Sequence, residues 1–308
     1  MTTALHRAAH WHRPLMVLSS AMAVLAVVCA IGVLTDARML TGVPIWLKPF
    51  KFSVSFALYA ATLAWMLSQL RRRSRVVQRS ATVIVAMSLV EMVVIVVQVL
   101  RGTTSHYNAT TPLNAALWQI MGASIMVLFA AHVVVGVTLL RRPAVDRVTT
   151  WAVGLGLGLS GLGMLVAIPM VRPGQPPTAE GIAGAHSVGV PDGGAGLPLT
   201  GWSTAGGDLR IGHFVGLHAL QMLPILAILL RRFGARLDER TRVRLLIVAG
   251  AAYGVLTLLL TWQALRGQPL LRPDLAALTA TAALVAATAT ATRAVLLRRR
   301  RPELALAA

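Results

Sequence analysis

Charge is scarce in this chain. Of its 308 residues only 13% are charged, about half the share of a soluble domain, and 10 are acidic. With 56% apolar residues and a mean hydropathy of +0.71, that scarcity excludes both a disordered chain and an ordinary soluble fold. One cysteine, Cys29, excludes an intramolecular disulfide. Lysine is nearly absent: Lys48 and Lys51 stand against 27 arginines. No phosphate-binding loop, HExxH helix or GxSxG turn occurs, which removes the standard ATPase, zinc-protease and serine-hydrolase signatures.

What the chain has in abundance is long apolar runs. Eight of them, at 14–34, 52–70, 81–100, 117–140, 151–171, 211–230, 243–264 and 275–297, can each cross a bilayer core as a helix. The expected fold is an all-α, multi-pass integral membrane protein with eight transmembrane helices. The first run is too long for a signal core and lacks a small-residue cleavage site, so it reads as an uncleaved helix.

Arginine runs follow spans 2, 4, 6 and 8; with Arg7 and Arg13 they place 20 of the 29 basic residues on one side. Cytoplasmic loops retain Arg and Lys, so both termini are expected in the cytoplasm, their loops against anionic lipid. The net charge of +19 is then a matter of topology, and no continuous basic face calls for nucleic acid. The Ala, Gly, Val and Arg usage resembles a GC-rich bacterial gene, which points to a bacterial inner membrane.

Residues 172–210 form the long extracytoplasmic connection, rich in Gly and Pro. Its first half reads as disordered and its end, from Gly201-Trp202-Ser203 to Arg210, as more structured.

Three short matches relate spans 1–4 to spans 5–8. Gln98-Val99-Leu100-Arg101-Gly102 resembles Gln263-Ala264-Leu265-Arg266-Gly267, Lys51-Phe52 falls where His213-Phe214 does, and Ala30-Ile31 matches Ala167-Ile168. They suggest two four-helix halves, 1–150 and 151–308, as parallel repeats, with chance similarity between apolar helices as the other explanation.

Glu91 is the acidic residue inside a span, with Gln98 on the same helix face. An intramembrane carboxylate costs about 2.5 to 3.5 kcal/mol at the centre and marks a function or an interhelical bond. Span 2 carries a polar stripe of Lys51, Ser55, Tyr59 and Thr62, and the paired lysines suggest a need for compact ammonium groups. Span 6 carries His213, His218 and Gln221. His213 and His218, five apart, do not share a face as metal ligands would. Gly154, Gly156, Gly158, Gly161 and Gly163 on span 5 read as small-residue packing.

These groups predict an outward-facing polar cavity among helices 2, 3, 6 and 7. The expected ligand-binding residues are Lys48, Lys51, Tyr59, Glu91, Gln98, Arg101, His106, Asn108, Asp208, Arg210, His213, His218, Gln221, Gln263 and Arg266. A cationic rim over a Glu91 and His218 floor suits a small anionic or phosphate-bearing ligand, with proton exchange below. A carrier or receptor without cofactor is the first expectation. A second is redox: eight spans in four-plus-four halves resemble haem A synthase in architecture. Spans 2 and 8 lack histidine and matched axial pairs are missing, which leaves His132 and His218 to bracket one haem. A third is an enzyme using Glu91, His213 or His218 as acid and base on a lipid-linked substrate.

Overall fold

The computed structural model describes residues 11–70, 74–141, 146–171, 181–234 and 236–298. Eight helices are long and apolar enough to cross a membrane: α1 (Arg13–Thr35), α2 (Leu47–Ser68), α3 (Arg75–Leu100), α4 (Pro112–Arg141), α5 (Arg147–Leu165), α6 (Arg210–Phe233), α7 (Glu239–Leu265) and α8 (Leu275–Arg298). A 3₁₀ turn, Ile168–Val171, continues α5.

The helices begin at caps rather than at the onset of hydrophobicity, so several start a turn earlier than the apolar runs. Asp146 accepts from Thr149 N to open α5, and Asp238 from Thr241 N to open α7. Pro49 and Pro112 lie in the first turns of α2 and α4, where a missing N–H costs nothing. The earlier start of α2 puts both lysines on the helix.

The most extensive packing joins α1 to α2 and α5 to α6. Further pairs are α3 with α4, α7 with α8, α2 with α3, α6 with α7, α1 with α3 and α5 with α7. Between α1–α4 and α5–α8, α4 meets α5 and α2 meets α6. Each of these pairs among α1–α4 has a counterpart among α5–α8. The α5–α6 contact is close because Gly163 faces Gly216: a Cβ on either would meet the other's backbone. Gly156 adds a second near approach to Ala219 and Leu220, while Gly158 and Gly161 face open space. Of these helix-5 positions, Gly163 is the one whose packing against α6 leaves no room for a side chain, and Gly156 is merely tight.

One end of the bundle carries the helix-end arginines Arg75, Arg141, Arg147, Arg231, Arg232 and Arg298. At the other, residues 181–209 fold into a lid. Strand β3 (Ser187–Val188) pairs antiparallel with β4 (Gly207–Asp208), Ile182 bridges to Asn108, and Gly196 to Ser203. A short hairpin, β1 (Met39–Leu40) and β2 (Val43–Pro44), supports it from the α1–α2 loop. Thr41 and Gly42 turn that hairpin at φ 49° and 75°, and Gly42 lies directly under the Gly193 carbonyl, where a side chain has no room. The disorder expected for the first half of 172–210 fails from Gly181 onward, because backbone bonds to the α3–α4 loop replace the missing apolar periodicity: Ala109 N to Gly181 O and Ala183 N to Tyr107 O. Residues 172–180 lie outside the described residues.

Candidate site beneath the lid

Several groups expected to line an open rim are spent on architecture. Lys51 Nζ donates to Thr200 O at 2.9 Å, and Arg210 Nη2 to Gly201 O at 2.6 Å, so both latch the lid. Arg210 also forks onto Asp208, a fully buried carboxylate that accepts from Ser203 N as well. Arg101 bonds Gln98 and Asn114; Asn108 binds within its own loop to Thr103, Thr104 and Thr110; Arg266 pairs with Asp274. Gln263 donates to Pro269 O. These positions cap helices and close loops.

Below the lid a different set gathers. Lys48 comes from the first turn of α2, His106 from the α3–α4 loop, His186 from the lid and His213 from the first turn of α6; all four are half-buried. His106 lies within electrostatic reach of Lys48, His186 and His213. Lys48 in turn feels the cations Lys51 and Arg210 and, more weakly, Asp192 and the deeper Glu91. Its ammonium makes no hydrogen bond or ion pair among the described residues.

The imidazoles are oriented. His186 Nδ1 donates to Asp192 Oδ2 at 2.8 Å, and Asp192 also accepts the backbone N–H groups of His186 and Ser187. His213 Nδ1 donates to Gly163 O at 2.7 Å; a carbonyl only accepts, so the proton is on Nδ1 and Nε2 presents its lone pair. Burial pushes His106 and His186 below the usual imidazole range, the neighbouring cations adding to the effect. Burial pushes Asp192 up, but the hydrogen bonds from the His186 ring and from the His186 and Ser187 N–H groups prevail and hold it well below the usual carboxylate range.

An aromatic wall supports the cluster. Phe52, Trp118 and Tyr107 each lie within 6.0 Å, centroid to centroid, of the His106 ring, and Tyr107 lies edge-on to His186 at 5.0 Å. Glu91 is 3% exposed and accepts from Ser124 of α4 at 2.6 Å.

The deeper polar groups converge on α2. Tyr59 Oη and His132 Nδ1 are 2.9 Å apart, and His132 Nε2 donates to Leu157 O at 3.0 Å, so both of its ring nitrogens are engaged. His218 Nδ1 meets Gln221 Oε1, and Gln221 donates to Thr62, one turn below Tyr59. No group of three or more His, Cys, Asp or Glu side chains is placed for a metal ion among the described residues.

No known family, curated protein or solved structure matches this chain. The geometry therefore stands by itself. Of the expected residues, the structure brings Lys48, His106 and His213 together, sets Glu91 below them, and ties Tyr59, His218 and Gln221 to interhelical bonds. His186, Asp192, Tyr107, Trp118 and Ser124 were not expected. The first two sit in a Gly- and Pro-rich segment with no periodicity to flag them, and Ser124 is one small hydroxyl in an apolar stretch of α4.

Proposed function

We propose that this protein is a carrier or receptor of the bacterial inner membrane that binds a small anion, phosphate- or carboxylate-bearing, beneath the lid. Lys48 carries the reading. A half-buried ammonium without a partner among the described residues, within electrostatic reach of the His106 and His186 imidazoles, calls for an anion to complete it. The arginine bias supports cytoplasmic termini and an extracytoplasmic lid. The paired helix contacts, and the matching turns after α3 and α7, support two parallel four-helix repeats, an arrangement that builds binding sites between halves. Glu91 is the group for proton exchange at the floor.

The test is a thermal-shift titration of the purified full-length protein with inorganic phosphate and with acetate. Wild type is stabilised by at least one anion, Lys48→Gln by neither, and Arg244→Gln, exposed at the opposite end of the bundle, responds as wild type does. No shift in wild type, or an unchanged shift in Lys48→Gln, overturns the reading. Uptake of the stabilising anion into proteoliposomes then separates carrier from receptor.

A further inference from the structure

At the arginine-rich end, remote from the lid, a cavity of about 1130 Å³ opens between the start of α1, the end of α2 and the start of α3. Arg13 and Arg79 stand on its walls, with Trp11 and Trp65 beside them and Leu67 and Val83 as apolar lining. No lining residue is acidic, and neither guanidinium has an ion pair among the described residues. Both α1 and α3 point their N-termini, the positive ends of their dipoles, toward this side. His12 closes the first of these: its Nδ1 accepts from Leu15 N. At the start of α3, Ser74 makes no side-chain cap bond.

We propose that this cavity is a binding site for an anionic phospholipid of the adjacent leaflet, its phosphodiester between Arg13 and Arg79 and its acyl chains along the apolar lining. Two cations and no acidic group in the lining favour a negative headgroup over a zwitterionic one. The apolar surface and the tryptophan pair at a span end favour a lipid over a free phosphate, which would leave that surface unfilled. The site is independent of the one beneath the lid and of its ligand.

The experiment uses the full-length protein in a neutral detergent, with phosphatidylglycerol or phosphatidylcholine added and retention read by native mass spectrometry. Phosphatidylglycerol is retained at one per chain under conditions that strip phosphatidylcholine. The double variant Arg13→Gln/Arg79→Gln loses affinity about thirtyfold, as removal of two membrane-surface cations implies, whereas Arg240→Gln/Arg244→Gln removes the same charge elsewhere and retains the lipid. Arg79→Gln alone loses about fivefold and carries the test if the double variant does not fold. Equal retention of the two lipids, or equal loss in both double variants, overturns the proposal. Displacement of the lipid by sn-glycerol 3-phosphate at comparable concentration would make this a free phosphoester site and overturn it too.

Discussion

Gln98 Nε2 donates to the carbonyl of Thr104 and Gln263 Nε2 to that of Pro269, six positions on in each case, at 3.2 and 2.8 Å. The backbone around them repeats as well. Thr103 N bonds Gln98 O and Gln268 N bonds Gln263 O, and the turns run through Gly102 at φ 70° and Gly267 at φ 73°. Each glutamine ties the loop to its helix end by satisfying a carbonyl that the turn leaves over.

Replacing Gln263 by Leu is expected to cost about 1 to 3 kcal/mol, since it leaves a loop carbonyl without its donor. Gln98→Leu costs more, because Gln98 also donates to Asn114 and accepts from Arg101. Thermal denaturation of both variants checks the order, and equal losses would contradict it.

The two lid latches differ in what their loss exposes. Lys51→Met removes one hydrogen bond to Thr200 O, so limited proteolysis should cut the lid near residue 200 faster while the helical spectrum stays unchanged. Arg210→Met strands the fully buried Asp208 carboxylate and is expected to lower stability by about 3 to 5 kcal/mol. A milder effect of Arg210→Met than of Lys51→Met would show that Asp208 does not depend on the guanidinium.

The imidazoles give the lid end a pH dependence of definite sign. Burial, with Lys48, His186 and His213 behind it, holds His106 low, and burial holds His186 low against the pull of Asp192. The unfolded chain then takes up protons first as pH falls, so stability is greatest above about pH 7 and declines through about pH 6. Asp192, depressed by His186, withdraws its own contribution only in stronger acid, below about pH 4. The melting temperature should fall between about pH 7.5 and pH 5.5, and less steeply in His106→Gln. A wild-type profile flat over that range would refute the assignment of neutral imidazoles.

At the α5–α6 crossing, Gly163→Ala is expected to cost about 1 to 3 kcal/mol by forcing the helices apart at Gly216. Gly158→Ala, with open space before it, is neutral or stabilising through helix propensity. Denaturation of the pair separates close approach from a general intolerance of alanine on this helix.

Glu91 tests the floor of the site. Glu91→Gln keeps an acceptor for Ser124 and should fold as wild type does, whereas Glu91→Leu leaves the Ser124 hydroxyl with only its Met121 carbonyl partner. If proton exchange at Glu91 accompanies anion binding, the anion-induced thermal shift loses its pH dependence in Glu91→Gln. Persistence of the wild-type dependence there would remove Glu91 from that role.

Much of this architecture was legible in the residues. The eight helices fall where the apolar runs lie, within a turn or so, because hydrophobic length is a property of a continuous segment. The ends were less legible: Asp146, Asp238, Pro49 and Pro112 start helices in polar surroundings that a hydropathy reading passes over. Lys48, Lys51, His106 and His213 could be singled out as unusual for their neighbourhood. Their fates could not be told apart, since Lys51 meets Thr200 149 positions away and His213 meets Gly163 50 positions away.

The sequence by itself thus determined the helical class of the protein, its eight segments long and apolar enough to cross a membrane and the end at which its polar groups collect, for these follow from composition and charge along the line. Only the tertiary structure decided which of those groups remain available. It folded the Gly- and Pro-rich connection into a lid that engages Lys51 and Arg210, brought in His186 with its oriented Asp192, and left Lys48 beneath them. A polar group's role depends on whether its hydrogen bonds are already met, and its partners here lie on other helices and in a loop without pattern of its own.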